Sequence, residues 1–130
     1  MNMTSPALRL RLARFCFGGY AGFLFALTHW PHLRISSPIE RPDLYIHLTA
    51  FCIWTCCAVI AGPFGPPLSA RNLKRVALLA AVYAPFDEFS QGIPGVGRTV
   101  GLDDLAANSL GIVLALSICL ILRKWRGVVE

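Results

Sequence analysis

Four apolar stretches, each ended by charges or by proline and glycine, occupy most of this chain and dictate what it can fold into. They run about from Leu12 to His29, Leu44 to Ala61, Val76 to Gln91 and Leu102 to Leu122. A helix that crosses a bilayer needs about 20 mainly apolar residues, with a working range of about 17–25. All four meet or nearly meet that length, and none alternates with period two, which argues against a lipid-facing barrel. The second stretch closes on Gly62-Pro63-Phe64-Gly65-Pro66-Pro67, the third is followed by Gly92, Pro94, Gly95 and Gly97, and the fourth stops at Arg123-Lys124. The first has basic residues ahead of an apolar core, as a signal peptide does. It ends, however, in Thr28-His29-Trp30-Pro31 in place of a small-x-small cleavage site, and reads as a retained helix. The expected fold is all-α: an integral membrane four-helix bundle forming one domain over residues 1–130, with no soluble domain at either end.

Composition supports a chain whose main solvent is lipid. Of its residues 55% are hydrophobic and 15% charged, against about 45–50% and about 25% in soluble domains. The net charge of +5 does not indicate nucleic acid as a partner, because the basic residues are placed by topology. Cys16, Cys52, Cys56, Cys57 and Cys119 lie inside apolar runs and are odd in number, which fits small core hydrophobes and not a disulfide framework.

With four spans, Arg9, Arg11, Arg14, Arg71, Lys74, Arg75, Arg123, Lys124 and Arg126 all fall on one side, while Arg34, Arg41 and Arg98 fall on the other. The positive-inside rule then puts both termini in the cytoplasm. Six of the seven acids, Glu40, Asp43, Asp87, Glu88, Asp103 and Asp104, join the three outer arginines, with Glu130 alone inside. The +5 is thus the difference between +8 inside and −3 outside. Trp30 and Trp125 fall at opposite interfaces, as aromatic belts do.

On the outer half, three stretches each carry a carboxylate and a polar residue four positions on: Asp43 with His47, Asp87 with Gln91, and Asp104 with Asn108. That spacing puts both side chains on one helix face. Polar groups at this depth are costly against lipid, so these faces should turn towards one another and make a polar pocket. Asp103 and Asp104 open their helix, where the dipole suits them, whereas Asp87 and Glu88 close theirs, where it does not. Arg98 or His47 is the cation available to balance that pair.

These residues resemble the VanZ-like family of small bacterial membrane proteins, named for an accessory teicoplanin-resistance protein. Its pattern of Asp-Lys-x-x-His-Phe, Asp-Glu-x-x-Gln, then Arg and a downstream Asp-x-x-x-Asn-x-x-Gly reads here as Asp43-Leu-Tyr-Ile-His47, Asp87-Glu88-Phe-Ser-Gln91, Arg98 and Asp104-Leu-Ala-Ala-Asn108-Ser-Leu-Gly111. Leu44 stands in place of the Lys, and Leu48 in place of the Phe. The resemblance spans residues 12 to 122. It implies a four-helix membrane fold, a bacterial cytoplasmic-membrane location, and a link to the cell envelope and glycopeptide tolerance, but no particular reaction.

Three readings of the polar face stay open. In the first, Asp43, His47, Asp87, Glu88, Gln91, Arg98, Asp104 and Asn108 line a site for a lipid head group, a lipid-linked wall precursor or a lipophilic compound. In the second, His47, Asp87 and Glu88 do proton chemistry on a phosphorylated lipid that Arg98 clamps. In the third, the polar faces only join helices, Asn108 above all. Asp87, Glu88, Asp104 and His47 have the chemistry to hold a divalent cation, yet no metal-ligand spacing picks them out. No metal or other cofactor is expected. A thin bundle of this size is compatible with a homo-oligomer in each reading.

Overall fold

Each helix begins where a local signal makes it begin. In the computed structural model, which describes residues 5–31, 38, 40–96 and 99–128, α1 spans Pro6–Thr28. Ser5 caps it by accepting from Leu8 N–H, and Pro6 takes the first helical position, where a missing N–H costs nothing. Helix α3, Ala70–Gln91, is capped in the same way by Ser69, whose Oγ accepts from Asn72 N–H. Both start about six residues ahead of the apolar runs that announced them, because capping chemistry lies outside a hydropathy window. Helix α2, Pro42–Ala61, ends at Gly62, whose φ of +57° reverses the chain and whose N–H bonds back to Ala58 and Val59. Helix α4 spans Leu102–Trp125. The described residues contain these four helices and no strand.

The chain runs up and down, so α2 and α4 start at the end of the bundle where α1 and α3 finish. That end carries the acids and is called the polar end below; the other holds the basic clusters. At lengths of 20 to 24 residues and about 1.5 Å per residue, each helix matches a hydrocarbon core about 30 Å thick. Three, α1, α2 and α4, are both long and apolar enough to cross a membrane. Helix α3 is long enough but falls short in apolarity, because it opens with Arg71, Asn72, Lys74 and Arg75 and closes with Asp87, Glu88 and Gln91. Large apolar side chains such as Phe15, Val82, Leu110 and Val113 are exposed around the bundle, as lipid contact requires. Trp30 and Trp125 are exposed at opposite ends.

The parallel pair α2 and α4 makes the largest helix contact. Gly111 faces α2 so closely that a Cβ there would collide with the Leu48 carbonyl oxygen and lie 3.0 Å from the Cys52 nitrogen. Ala107, Ala115 and Cys119 continue the buried seam on α4. Mid-bundle, Trp54 stacks on Tyr83 at 5.0 Å between ring centroids and meets Phe17 edge-on at 5.2 Å. Phe51, Val59, Val76, Ala80 and Ile112 fill the space around them.

At the basic end Arg14 does not simply reach for the interface. Its Nε and Nη2 donate to the carbonyls of Ala61 and Gly62, at 3.1 and 3.2 Å, and so cover the open C-terminus of α2. All five cysteines are free; only Cys119 is buried and Cys16 faces outward, so the expectation of five core residues fails for Cys16. Arg34, Arg98 and Glu130, used in the charge count, lie outside the described residues.

Candidate functional site

The polar end gathers side chains from all four helices. Asp87, fully buried near the end of α3, is met by neutral donors. Gln91 Nε2 donates to its Oδ2 at 3.1 Å, while Thr28 Oγ1 and Tyr83 Oη stand 3.1 and 3.4 Å from its Oδ1. The Asp87–Gln91 pair expected one turn apart is therefore made. What offsets the unfavourable helix dipole at Asp87 is a set of hydrogen bonds, which stabilise a buried carboxylate as a nearby cation would.

Glu88 points another way. Its Oε1 accepts from Gly101 N–H at 2.7 Å, tying the end of α3 to the start of α4. Its Oε2 is buried without a hydrogen-bond partner among the described residues. Beside it, on α2, His47 Nδ1 lies 3.0 Å from Asn108 Oδ1, and His47 Nε2 lies 3.8 Å from Asp104 Oδ2. One oxygen of Glu88, one of Asp104 and a ring nitrogen of His47 all fall within 4.8 Å of one another. The close approach at Gly111, one turn along α4, is what lets Asn108 reach α2.

Two of the three expected pairs are thus exchanged. Asp43 does not turn to His47; it pairs with Arg41 at 3.2 Å. Asp104 and Asn108 do not pair along α4, and both face His47 across the helix boundary. For Asp104 and Asn108 the reason is distance: at glycine spacing α2 brings the His47 ring nearer to both than they come to each other along α4.

At the rim, Arg41 also forms an ion pair with Asp103 and adopts a left-handed backbone, φ 54°, immediately ahead of α2. The Asp103 hydrogen bond, and behind it that of Asp43, raises the Arg41 guanidinium above its ordinary pKa. Asp103 further accepts from Asp104 N–H at 3.1 Å, within the first turn of α4. Between α2 and α4, below this rim, lies an open groove of about 650 Å³. Leu44, Leu48, Ala106, Ala107 and Leu110 form its walls, with Glu40, Arg41 and Asp103 at its mouth. The two positions that depart from the expected motif, Leu44 and Leu48, are both wall residues.

The structure therefore brings His47, Asp87, Glu88, Gln91, Asp104 and Asn108 to one end of the bundle and leaves Asp43 at its rim. Arg98 lies outside the described residues. Thr28, Tyr83, Gly101 and Arg41 are participants the sequence reading passed over. Tyr83 was within reach, since it extends the four-residue spacing of Asp87 and Gln91 by one turn; Thr28 and Gly101 carry no comparable signal. A family model described as VanZ/LLP1 matches residues 17–123. No curated protein and no solved structure matches the chain.

Proposed function

Because the chain belongs to the VanZ/LLP1 family, we propose that it is a multi-pass protein of the bacterial cytoplasmic membrane that binds an amphiphile at the outer leaflet. The occupant is a membrane lipid, a lipid-linked wall precursor or another lipophilic compound, and glycopeptide tolerance is the physiological setting. Both termini are cytoplasmic in this reading, on the strength of nine basic residues at one end of the bundle.

The observation that carries it is the groove between α2 and α4. Its volume of about 650 Å³ falls within the range of about 300–1,000 Å³ usual for small-molecule sites, and its walls are aliphatic while its mouth is charged. That division matches an acyl chain joined to a polar head. The mouth sets the Arg41 guanidinium beside Glu40 and Asp103, which suits a zwitterionic, amine-bearing head better than a bare anion: the phosphate meets Arg41 and the amine meets the carboxylates. The left-handed backbone at Arg41 adds support, since such strain persists where surroundings impose it, often at binding sites.

Native mass spectrometry of the purified protein tests this. Wild type should retain lipid, with phosphatidylethanolamine preferred to phosphatidylglycerol. Leu48→Trp, which fills the groove, should lose it, and Arg41→Ala should weaken it. Equal retention by wild type and Leu48→Trp would refute the groove as the site.

A second reading, an enzyme acting on a phosphorylated lipid, draws support from His47 standing between Asp104 and Asn108 beside a half-partnered Glu88. Glu88→Gln and His47→Ala should then abolish turnover on a phospholipid panel without loss of folded protein.

A further inference from the structure

Three helices each send one metal-competent side chain to the same buried point: His47 from α2, Glu88 from α3 and Asp104 from α4. Their ligand atoms lie within 4.8 Å of one another. Glu88 is 1% exposed and His47 6%, while the Asp104 side chain is 18% exposed, so the cluster is not a set of solvated surface acids. Two carboxylate oxygens here, Glu88 Oε2 and Asp104 Oδ1, are buried with no hydrogen-bond partner among the described residues. Such groups are costly unless a cation or a donor meets them.

The histidine is prepared in the way metal-binding histidines are. Its Nδ1 faces Asn108 Oδ1 at 3.0 Å. An Nδ1–H donated to that oxygen leaves the Nε2 lone pair directed at the carboxylates, and a second hydrogen-bond partner of this kind fixes tautomer and ring orientation in metal sites. Asn108 is fully buried, and its Nδ2 has no hydrogen-bond partner among the described residues. An Nε2 lone pair and an Asp104 oxygen 3.8 Å apart are too far for a hydrogen bond. Bonds of about 2.0–2.2 Å to a shared ion draw two ligand atoms to about 3–3.5 Å apart, so a small rotation of the two carboxylates closes the site.

We propose that His47, Glu88 and Asp104 form a binding site for a first-row divalent cation such as Zn²⁺, with Asn108 orienting the histidine. One nitrogen and two carboxylate oxygens suit such an ion, whereas Mg²⁺ and Ca²⁺ favour all-oxygen sets. Two ionised carboxylates and one divalent ion sum to zero charge, which makes the cluster tolerable at this depth. Three ligands leave coordination positions open. The sequence offers these residues among possible cation ligands, but no spacing singles them out, because they come from three separate helices. It is independent of the groove reading, since it neither needs nor excludes a bound lipid.

The test is titration of the metal-stripped, detergent-purified protein with Zn²⁺ alone, followed by calorimetry and by thermal stability. One equivalent should bind and raise the melting temperature. Glu88→Gln and His47→Ala should each weaken binding more than 100-fold, and Asn108→Ala by about 10–100-fold. His29→Ala and Cys16→Ser should bind as wild type does, and loss of binding in either would refute the site as adventitious coordination elsewhere. Co²⁺ absorption of the wild type provides a second reading that does not depend on any buried variant. Visible ligand-field bands without thiolate charge transfer are expected. No bound metal, binding retained in Glu88→Gln, or a thiolate band would overturn the proposal.

Discussion

Replacing Gly111 by alanine tests the seam on which the polar end depends. Within a helix this change ordinarily stabilises by about 0.8–1.0 kcal/mol, since alanine loses less backbone freedom than glycine. At Gly111 the new methyl meets the Leu48 carbonyl oxygen and the Cys52 nitrogen. Both are backbone atoms, so no rotamer change relieves the contact and α4 must move away from α2. Overpacking costs about 1–3 kcal/mol, and a collision with backbone belongs at the top of that range. Net of the propensity gain, Gly111→Ala should destabilise by about 2 kcal/mol. Gly22, on α1, supplies the contrast, because nothing lies within 4 Å of a Cβ built there. Gly22→Ala should leave stability unchanged or raise it by up to about 1 kcal/mol. Reversible unfolding in mixed detergent–dodecyl sulfate micelles measures both. If Gly111→Ala proved as stable as Gly22→Ala, the close α2–α4 packing would be wrong, and with it the approach of Asn108 to His47.

Further outcomes follow from the same contacts. Arg14→Ala uncovers the Ala61 and Gly62 carbonyls and should cost about 1 kcal/mol, the value of a charged hydrogen bond discounted for partial exposure; the same unfolding assay reads it. Asp87→Asn turns an amide N–H₂ towards donors of Thr28, Tyr83 or Gln91, and should cost about 1–3 kcal/mol, whereas Tyr83→Phe, losing a 3.4 Å contact, should cost under about 1 kcal/mol. A fluorescent protein fused at the C-terminus should fold and fluoresce in cells, and alkaline phosphatase fused after Pro38 should be active; the reverse pattern would invert the orientation drawn from the basic residues.

Helix number and class were legible because lipid demands long apolar runs and the chain marks their ends with charges, glycine and proline. Helix starts were less so, since Ser5 and Ser69 act through one hydrogen bond each and add nothing to hydropathy. For the site, the sequence located the right end of the bundle and six of its residues, His47, Asp87, Glu88, Gln91, Asp104 and Asn108. It paired Asp87 with Gln91 as the structure does, but gave His47, Asp104 and Asn108 other partners than those they meet. Four-residue spacing aligns side chains on a face, but which neighbour each one meets depends on how near the adjacent helix comes, and that is set by Gly111. Arg41 was read only as an outer charge, although its αL backbone and two carboxylate partners make it the rim of the groove. A backbone donor such as Gly101 N–H has no residue type to betray it.

Whether an amphiphile sits between α2 and α4 is a question that photo-crosslinking addresses without an intermediary. A phosphatidylethanolamine bearing a diazirine in its acyl chain, incorporated with the protein into vesicles and irradiated, labels whatever lines its binding site. Peptide mapping should place the dominant adducts on the groove walls at Leu44, Leu48, Ala107 and Leu110, and Leu48→Trp should abolish them. Adducts spread evenly over the exposed apolar faces of α1 and α3, and unchanged by Leu48→Trp, would show that the groove holds no lipid.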